Sequence, residues 1–192
     1  MKILSIDAET NGLYGNAFII SAVLINEDGQ VAEIFCGRCP IDEEVDSFVK
    51  DNVLPQVEGI KVTNDSYESL LKDFIEYYKS KKDDAIILVH MGCPVEAKLF
   101  IDAQRMGFMG TFDGPYPLTD ISAYPEISDS VDTYAEKHKL MDEINEILIE
   151  LDIKGGTHNP VYDCIVTAKC YLHWLLYYHC TVNSKNYLDD IL

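Results

Sequence analysis

The chain has 192 residues, 47% hydrophobic and 25% charged, a globular mix that excludes a largely disordered or collagen-like protein. Its 33 acidic against 15 basic side chains give a formal charge of −18, which opposes tight, salt-driven binding along a long duplex. No apolar run approaches the roughly 20 residues of a membrane helix, and Asp7 arrives too early for a signal-peptide core, so the sequence predicts one cytoplasmic domain over residues 1–192.

Ile3 to Asp7 reads as a short buried strand, and Ala17 to Ile25 as a second. Asn26-Glu27-Asp28-Gly29 is a turn, and Gln30 to Cys36 alternates well enough for a third strand. The opening is thus an antiparallel three-strand meander. Six cysteines occupy positions 36, 39, 93, 164, 170 and 180, with Cys36 and Cys39 the one close pair. Without a second pair, reduced thiols are favoured over structural zinc. Residues 40–58 are acidic and mixed, with a short helix expected from Glu43 to Asn52.

Ser66 caps the next helix, with Ser69 in its first turn, and Tyr67, Leu70, Leu71, Phe74, Ile75 and Tyr78 fall on one face. Ala85 to His90 is a buried-type strand. Pro94 suits the first turn of a helix that carries Leu99, Phe100, Ala103 and Met106 and stops at Gly107. A further strand is expected from Pro115 to Ile121, and helix over 128–151, in two pieces around Leu140. Asn159 caps the last helix, with Pro160 at its first position and Val161, Cys164, Ile165, Ala168, Leu172, Leu175 and Leu176 as its buried stripe. The aromatic residues Tyr171, Trp174, Tyr177 and Tyr178 of that helix read either as core or as a homodimer face. This order of elements predicts an α/β fold with one mixed sheet, the meander joined to parallel strands and flanked by helices.

Asp7 and Glu9 lie two apart in a strand, so both carboxylates point to one face at the end of an apolar segment. Two like charges so close raise each other's pKa unless a cation holds them. The alternative is a strand that turns polar as it leaves the core. Thr10-Asn11-Gly12-Leu13 follows, where Gly12 permits a tight turn close to a ligand. His158 lies just before the helix cap and Asp163 within the first turns, so the Pro160 start fixes their relative position. A carboxylate there also gains from the helix N-terminus, with or without a function. Between these segments, Glu96 stands on the first turn of its helix after His90-Met91-Gly92-Cys93-Pro94-Val95.

Together these motifs resemble the DEDDh group of 3′–5′ exonucleases, the DnaQ-like proteins of the ribonuclease H-like superfamily. Asp7-Ala8-Glu9-Thr10-Asn11-Gly12-Leu13 is similar to the first family motif, D-x-E-T-x-G-L. His158-Asn159-Pro160-Val161-Tyr162-Asp163 is similar to the third, H-x(4)-D. The second motif departs from the family's H-N-x-x-F-D: His90 is present, Met91 replaces the usual Asn, Val95 takes the usual Asp spacing, and Glu96 follows one residue later. Thr119-Asp120-Ile121-Ser122 resembles a family strand whose Asp supports structure.

The resemblance implies a ribonuclease H-like fold and hydrolysis of phosphodiesters from 3′ ends. It implies Asp7, Glu9, Glu96 and Asp163 as ligands of two divalent ions, magnesium or manganese, that stabilise the attacking and leaving oxygens. His158 becomes the general base, suited by an imidazole pKa near neutrality. Thr10, Asn11, Leu13 and His90 become substrate-binding residues, with Leu13 beside the terminal base. The acidic surface points to single-stranded or short nucleic acid. The altered second motif leaves a second expectation open, a non-catalytic or partner-dependent binding domain of the same fold.

Overall fold

The computed structural model describes residues 1–127 and 130–189, with side chains as far as residue 177. Its centre is β1, Lys2–Thr10, flanked on one side by β2, Ala17–Asn26, and β3, Val31–Arg38. On the other side lie β4, Ala85–Val89, and the two-residue β5, Thr119–Asp120. The sheet order is β3-β2-β1-β4-β5. The β1–β2 and β2–β3 pairs are antiparallel, and β1–β4 and β4–β5 are parallel. Among the described residues, five α-helices flank the sheet: α1 Tyr67–Lys81, α2 Val95–Arg105, α3 Val131–Lys137, α4 Met141–Glu150 and α5 Pro160–Asp189. This is the expected α/β architecture, a mixed sheet flanked by helices in the ribonuclease H-like manner.

The period of two along β1 divides the core. Leu4, Ile6 and Ala8 pack on the side of α1 and α2, with Leu70, Phe74, Leu99 and Phe100. Ile3 packs on the other side, with Val161, Ile165 and Ala168 of α5 and Ile144 of α4. Odd-numbered positions of β1 therefore face α5. Asp7 and Glu9 are odd-numbered, so the alternation that builds the core also aims both carboxylates at the helix that carries Asp163.

Helix α1 starts where a reciprocal cap can form. Ser66 Oγ accepts from Ser69 N at 3.2 Å, and Ser69 Oγ accepts from Ser66 N at 3.2 Å. Replacing Ser66 with alanine is expected to cost about 1 kcal/mol and a few degrees of melting temperature, read by thermal denaturation.

Four local expectations change. Leu176, expected in the buried stripe of α5, is exposed, because it lies one turn beyond Leu172, the last buried side chain of that helix among the described residues. The strand expected from Pro115 to Ile121 shrinks to Thr119–Asp120. Pro115 and Pro117 lack an N–H for a ladder, and Asp120 accepts from Ser122 N at 3.0 Å, turning the chain into a 3₁₀ turn. The helix expected over Glu43–Asn52 starts later, as a π-helical turn over Val49–Val53 followed by a 3₁₀ turn over Leu54–Gln56. The delay comes from Asp46, whose Oδ1 accepts from Phe48 N at 2.8 Å and so fixes a turn first. Met106 falls past the last turn of α2 and is exposed, because Gly107 takes a left-handed conformation, φ +77°, and ends the helix. Residues 128–129, and the side chains of Tyr178 and Cys180, lie outside what the structure describes.

Candidate metal centre

The carboxylates of Asp7, Glu9 and Asp163 offer oxygen atoms that all lie within 4.8 Å of one another. Each arrives for a local reason. Asp7 and Glu9 share the α5 face of β1. Asp163 is presented by the cap of α5, where Asn159 Oδ1 accepts from Val161 N at 3.1 Å and Pro160 opens the helix. Asp163 Oδ2 also accepts from His158 N at 2.9 Å, which ties the helix start to the residue before the cap.

Glu96, on the first turn of α2, borders this group. β4 pairs with β1 only as far as Ser5, so β1 runs on beyond its parallel neighbour. Glu96 Oε1 takes the Ala8 amide there at 3.0 Å, in a buried position. One of its oxygens is thus occupied by backbone, and Glu96 stands outside the group of three.

The electrostatics are those of crowded, buried carboxylates. Burial pushes the Asp7 carboxyl up to about 7. Burial, then the charges of Asp7 and Glu96, push Glu9 up to about 9. Asp163 and Glu96 are both raised well above the usual carboxylate range, chiefly by burial and next by Asp7. Among the described residues, no lysine or arginine forms an ion pair with any of the four. Oxygen-only donors under mutual repulsion fit a hard divalent ion, which would replace the missing positive charge. The three carboxylates could hold one metal ion.

His158 completes the cluster. Its Nδ1 lies 4.0 Å from Glu9 Oε1, and its ring meets the Phe48 ring edge-on, with centroids 5.6 Å apart. Its backbone is left-handed at φ +72°, a conformation that costs a non-glycine residue about 1 kcal/mol or more.

The remaining residues expected at the site differ in how far their side chains are engaged. Thr10 ends β1 and is half-buried. Asn11 has its side chain engaged: Nδ2 donates to Glu44 O at 2.9 Å, and Oδ1 accepts from Asp46 N at 2.8 Å. It pins the acidic 44–46 loop to the turn after β1. Gly12, φ +77°, makes that turn, and Leu13 projects from it into solvent. His90 is half-buried, and its Nε2 has no hydrogen-bond partner among the described residues. Asp120 accepts from Met91 N at 3.0 Å and Gly92 N at 2.9 Å, so it holds the loop between His90 and α2 rather than joining the acidic group. Asp102 is engaged elsewhere, with the Tyr67 hydroxyl and Lys98.

Two neighbours carry no sequence signal. Phe48 is the aromatic side chain against His158, brought by the turn that Asp46 starts. Asp132, in the first turn of α3, accepts from the Tyr162 hydroxyl at 2.7 Å and the Thr157 hydroxyl at 3.2 Å. Only the fold brings these side chains to the 157–163 segment.

A scan against protein-family models finds no match to this chain, and a search of the curated proteins finds none either. Among the described residues, no helix is long and apolar enough to cross a membrane.

Proposed function

We propose that the chain is a metal-dependent 3′–5′ exonuclease that releases nucleoside monophosphates from single-stranded or short DNA or RNA. The observation that carries the reading is the meeting of Asp7, Glu9 and Asp163 within 4.8 Å, with His158 beside them. A phosphodiester repels both hydroxide and carboxylates, so such a cluster is unfavourable for a nucleic acid unless cations bridge the two. Two magnesium or manganese ions held by Asp7, Glu9 and Asp163, with Glu96 contributing its second oxygen, would neutralise that charge and activate the attacking water.

The chain's own residues do the rest. His158 takes the water's proton at Nε2, its Nδ1 being turned toward Glu9. Exposed Leu13 lies against the terminal base. Thr10 and His90 line the approach to the carboxylates. Asn11, with its side chain committed to the 44–46 loop, acts by fixing the shape of the turn and offers substrate only backbone groups. The charge of −18 disfavours long duplexes and fits strand ends. Exposed Leu176 and Tyr177 offer a surface for a second copy. Free Cys36, Cys39, Cys93, Cys164 and Cys170 suit a reducing compartment, in keeping with a cytoplasmic protein.

One observation favours a second reading, a nucleic-acid-binding domain without catalysis. Glu96 spends an oxygen on the Ala8 amide, which weakens the fourth ligand a second ion needs. End-labelled single-stranded DNA and RNA oligomers with Mg²⁺ or Mn²⁺ separate the two. Stepwise loss from the 3′ end, stopped by EDTA and by His158→Ala, is the expected result. Binding of oligomers without any cleavage would establish the second reading instead.

A further inference from the structure

The backbone that carries His158 is strained and must be held. At φ +72° it occupies a region that non-glycine residues leave when free, and leaving it swings the Cα–Cβ direction. Three side-chain ties bear on this backbone. His158 N donates to Asp163 Oδ2 at 2.9 Å. Asn159 Nδ2 donates to Lys154 O at 2.6 Å. Asp132 accepts from the Thr157 hydroxyl with Oδ2, at 3.2 Å, and from the Tyr162 hydroxyl with Oδ1, at 2.7 Å. The first two ties stay within the segment and α5. Of these three, the third alone comes from another element, and it joins the residue before His158 to the residue before Asp163. Tyr162 is buried and Asp132 half-buried, so the Tyr162 bond is the sheltered one, while Thr157 is exposed.

We propose that Asp132 is a positioning residue for His158: its carboxylate, clasped by the Tyr162 and Thr157 hydroxyls, holds the backbone so that the imidazole stays between Glu9 and Phe48. This deepens the exonuclease reading and rests on it for its kinetic consequence, though not for its structural one. Asp132 acts through the backbone of the segment.

The side chain also lies in the first turn of α3, where any negative charge favours the helix. That bland role is separable. Asp132→Ala and Asp132→Asn both remove the charge. Asparagine keeps the clasp, because its amide oxygen accepts from Tyr162 and its NH₂ donates to Thr157 Oγ1. The difference between the two variants therefore reads the clasp alone.

The experiment uses the full chain, with ring-labelled histidine, followed by NMR without metal and by oligomer cleavage with Mn²⁺. In wild type and Asp132→Asn, His158 should give one set of ring signals with cross-peaks to Phe48. In Asp132→Ala those cross-peaks should vanish, and kcat should fall about tenfold while KM changes less than about twofold, the pattern of a misaimed base. If Asp132→Ala does not fold, Thr157→Val against Thr157→Ser repeats the comparison, the serine retaining the hydroxyl. Intact His158–Phe48 cross-peaks in the variant that lacks the clasp, or equal loss in both members of the pair, would overturn the proposal. If wild type cleaves no oligomer, the exonuclease reading falls, and the cross-peaks alone decide the role of Asp132.

Discussion

Asp7→Asn is expected to abolish nucleolysis while making the metal-free protein more stable. The loss of activity follows from the ligand. Removing one carboxylate from the proposed ligand set forfeits several kcal/mol of charge stabilisation, on the order of 10³-fold in rate or more. The gain in stability follows from burial. The Asp7 carboxyl is pushed up to about 7 in the fold, against 3.8 for the unperturbed group. At pH 8 the folded state therefore holds a charge that the unfolded state carries more comfortably. An asparagine carries none, and its absence also relieves Glu9, Glu96 and Asp163, each of which Asp7 raises. A rise of about 5 °C in melting temperature at pH 8 in EDTA is expected, shrinking toward pH 4. Saturating Mn²⁺ should reverse the order, because only wild type keeps the full ligand set. Melting curves with EDTA and with Mn²⁺ check both signs. A variant less stable than wild type in EDTA at pH 8 would mean that the cluster is not under charge repulsion.

The second large effect is the pH dependence of metal binding. Asp7 and Glu9 titrate in the fold at about 7 and about 9, both above their unperturbed values. For an acid raised on folding, the native state binds more protons than the unfolded state between the two pKa values. Stability of the metal-free fold is then fully present below the unfolded value and falls as pH rises through the folded one. An arriving cation has to displace those protons, so its affinity climbs with pH, about tenfold or more per unit between pH 6 and 7. Titration with Mn²⁺ from pH 5.5 to 9, beside melts with and without the ion, gives both curves. The stabilisation by Mn²⁺ should be small at pH 5.5 and largest near pH 9. A flat profile would place the bound ion somewhere other than this cluster. More acidic conditions bring in an opposite contribution from Asp120. Burial would raise its carboxyl, but hydrogen bonds from Ser122, Gly92 and Met91 outweigh that and hold it below the usual range. Stability from Asp120 is therefore lost as pH falls through that depressed value.

Legibility in the sequence tracked the range of the signal. The Asp28-Gly29 turn, the Ser66 cap and the Asn159-Pro160 start are decided within a few residues, and each element formed where it was expected. Asp7 and Glu9 were legible for the same reason, since a period of two needs only one strand. β5 was not, because how far Thr119–Asp120 extends depends on which N–H groups can reach β4 across the sheet. The turn at Val49–Val53 was obscured by Asp46, whose engagement with Asn11 spans 35 residues. Glu96 could be nominated, but its bond to Ala8 follows from where β4 stops beside β1. Phe48 and Asp132 lie in no motif, and their approach to the 157–163 segment is a product of packing alone.

The placement of ligands along the chain has a consequence for synthesis. Asp7 and Glu9 leave the ribosome early on β1, whereas Asp163 follows nearly the whole of the remaining sheet and four helices. At about 5–20 residues per second, roughly 10–30 s pass before the third carboxylate exists to meet the first two. Through that interval the nascent strand carries two acidic groups without the helix that covers them, and no cation centre of this design can assemble. On the proposed reading, activity would be withheld until α5 docks on β1 and brings Asp163 to Asp7 and Glu9.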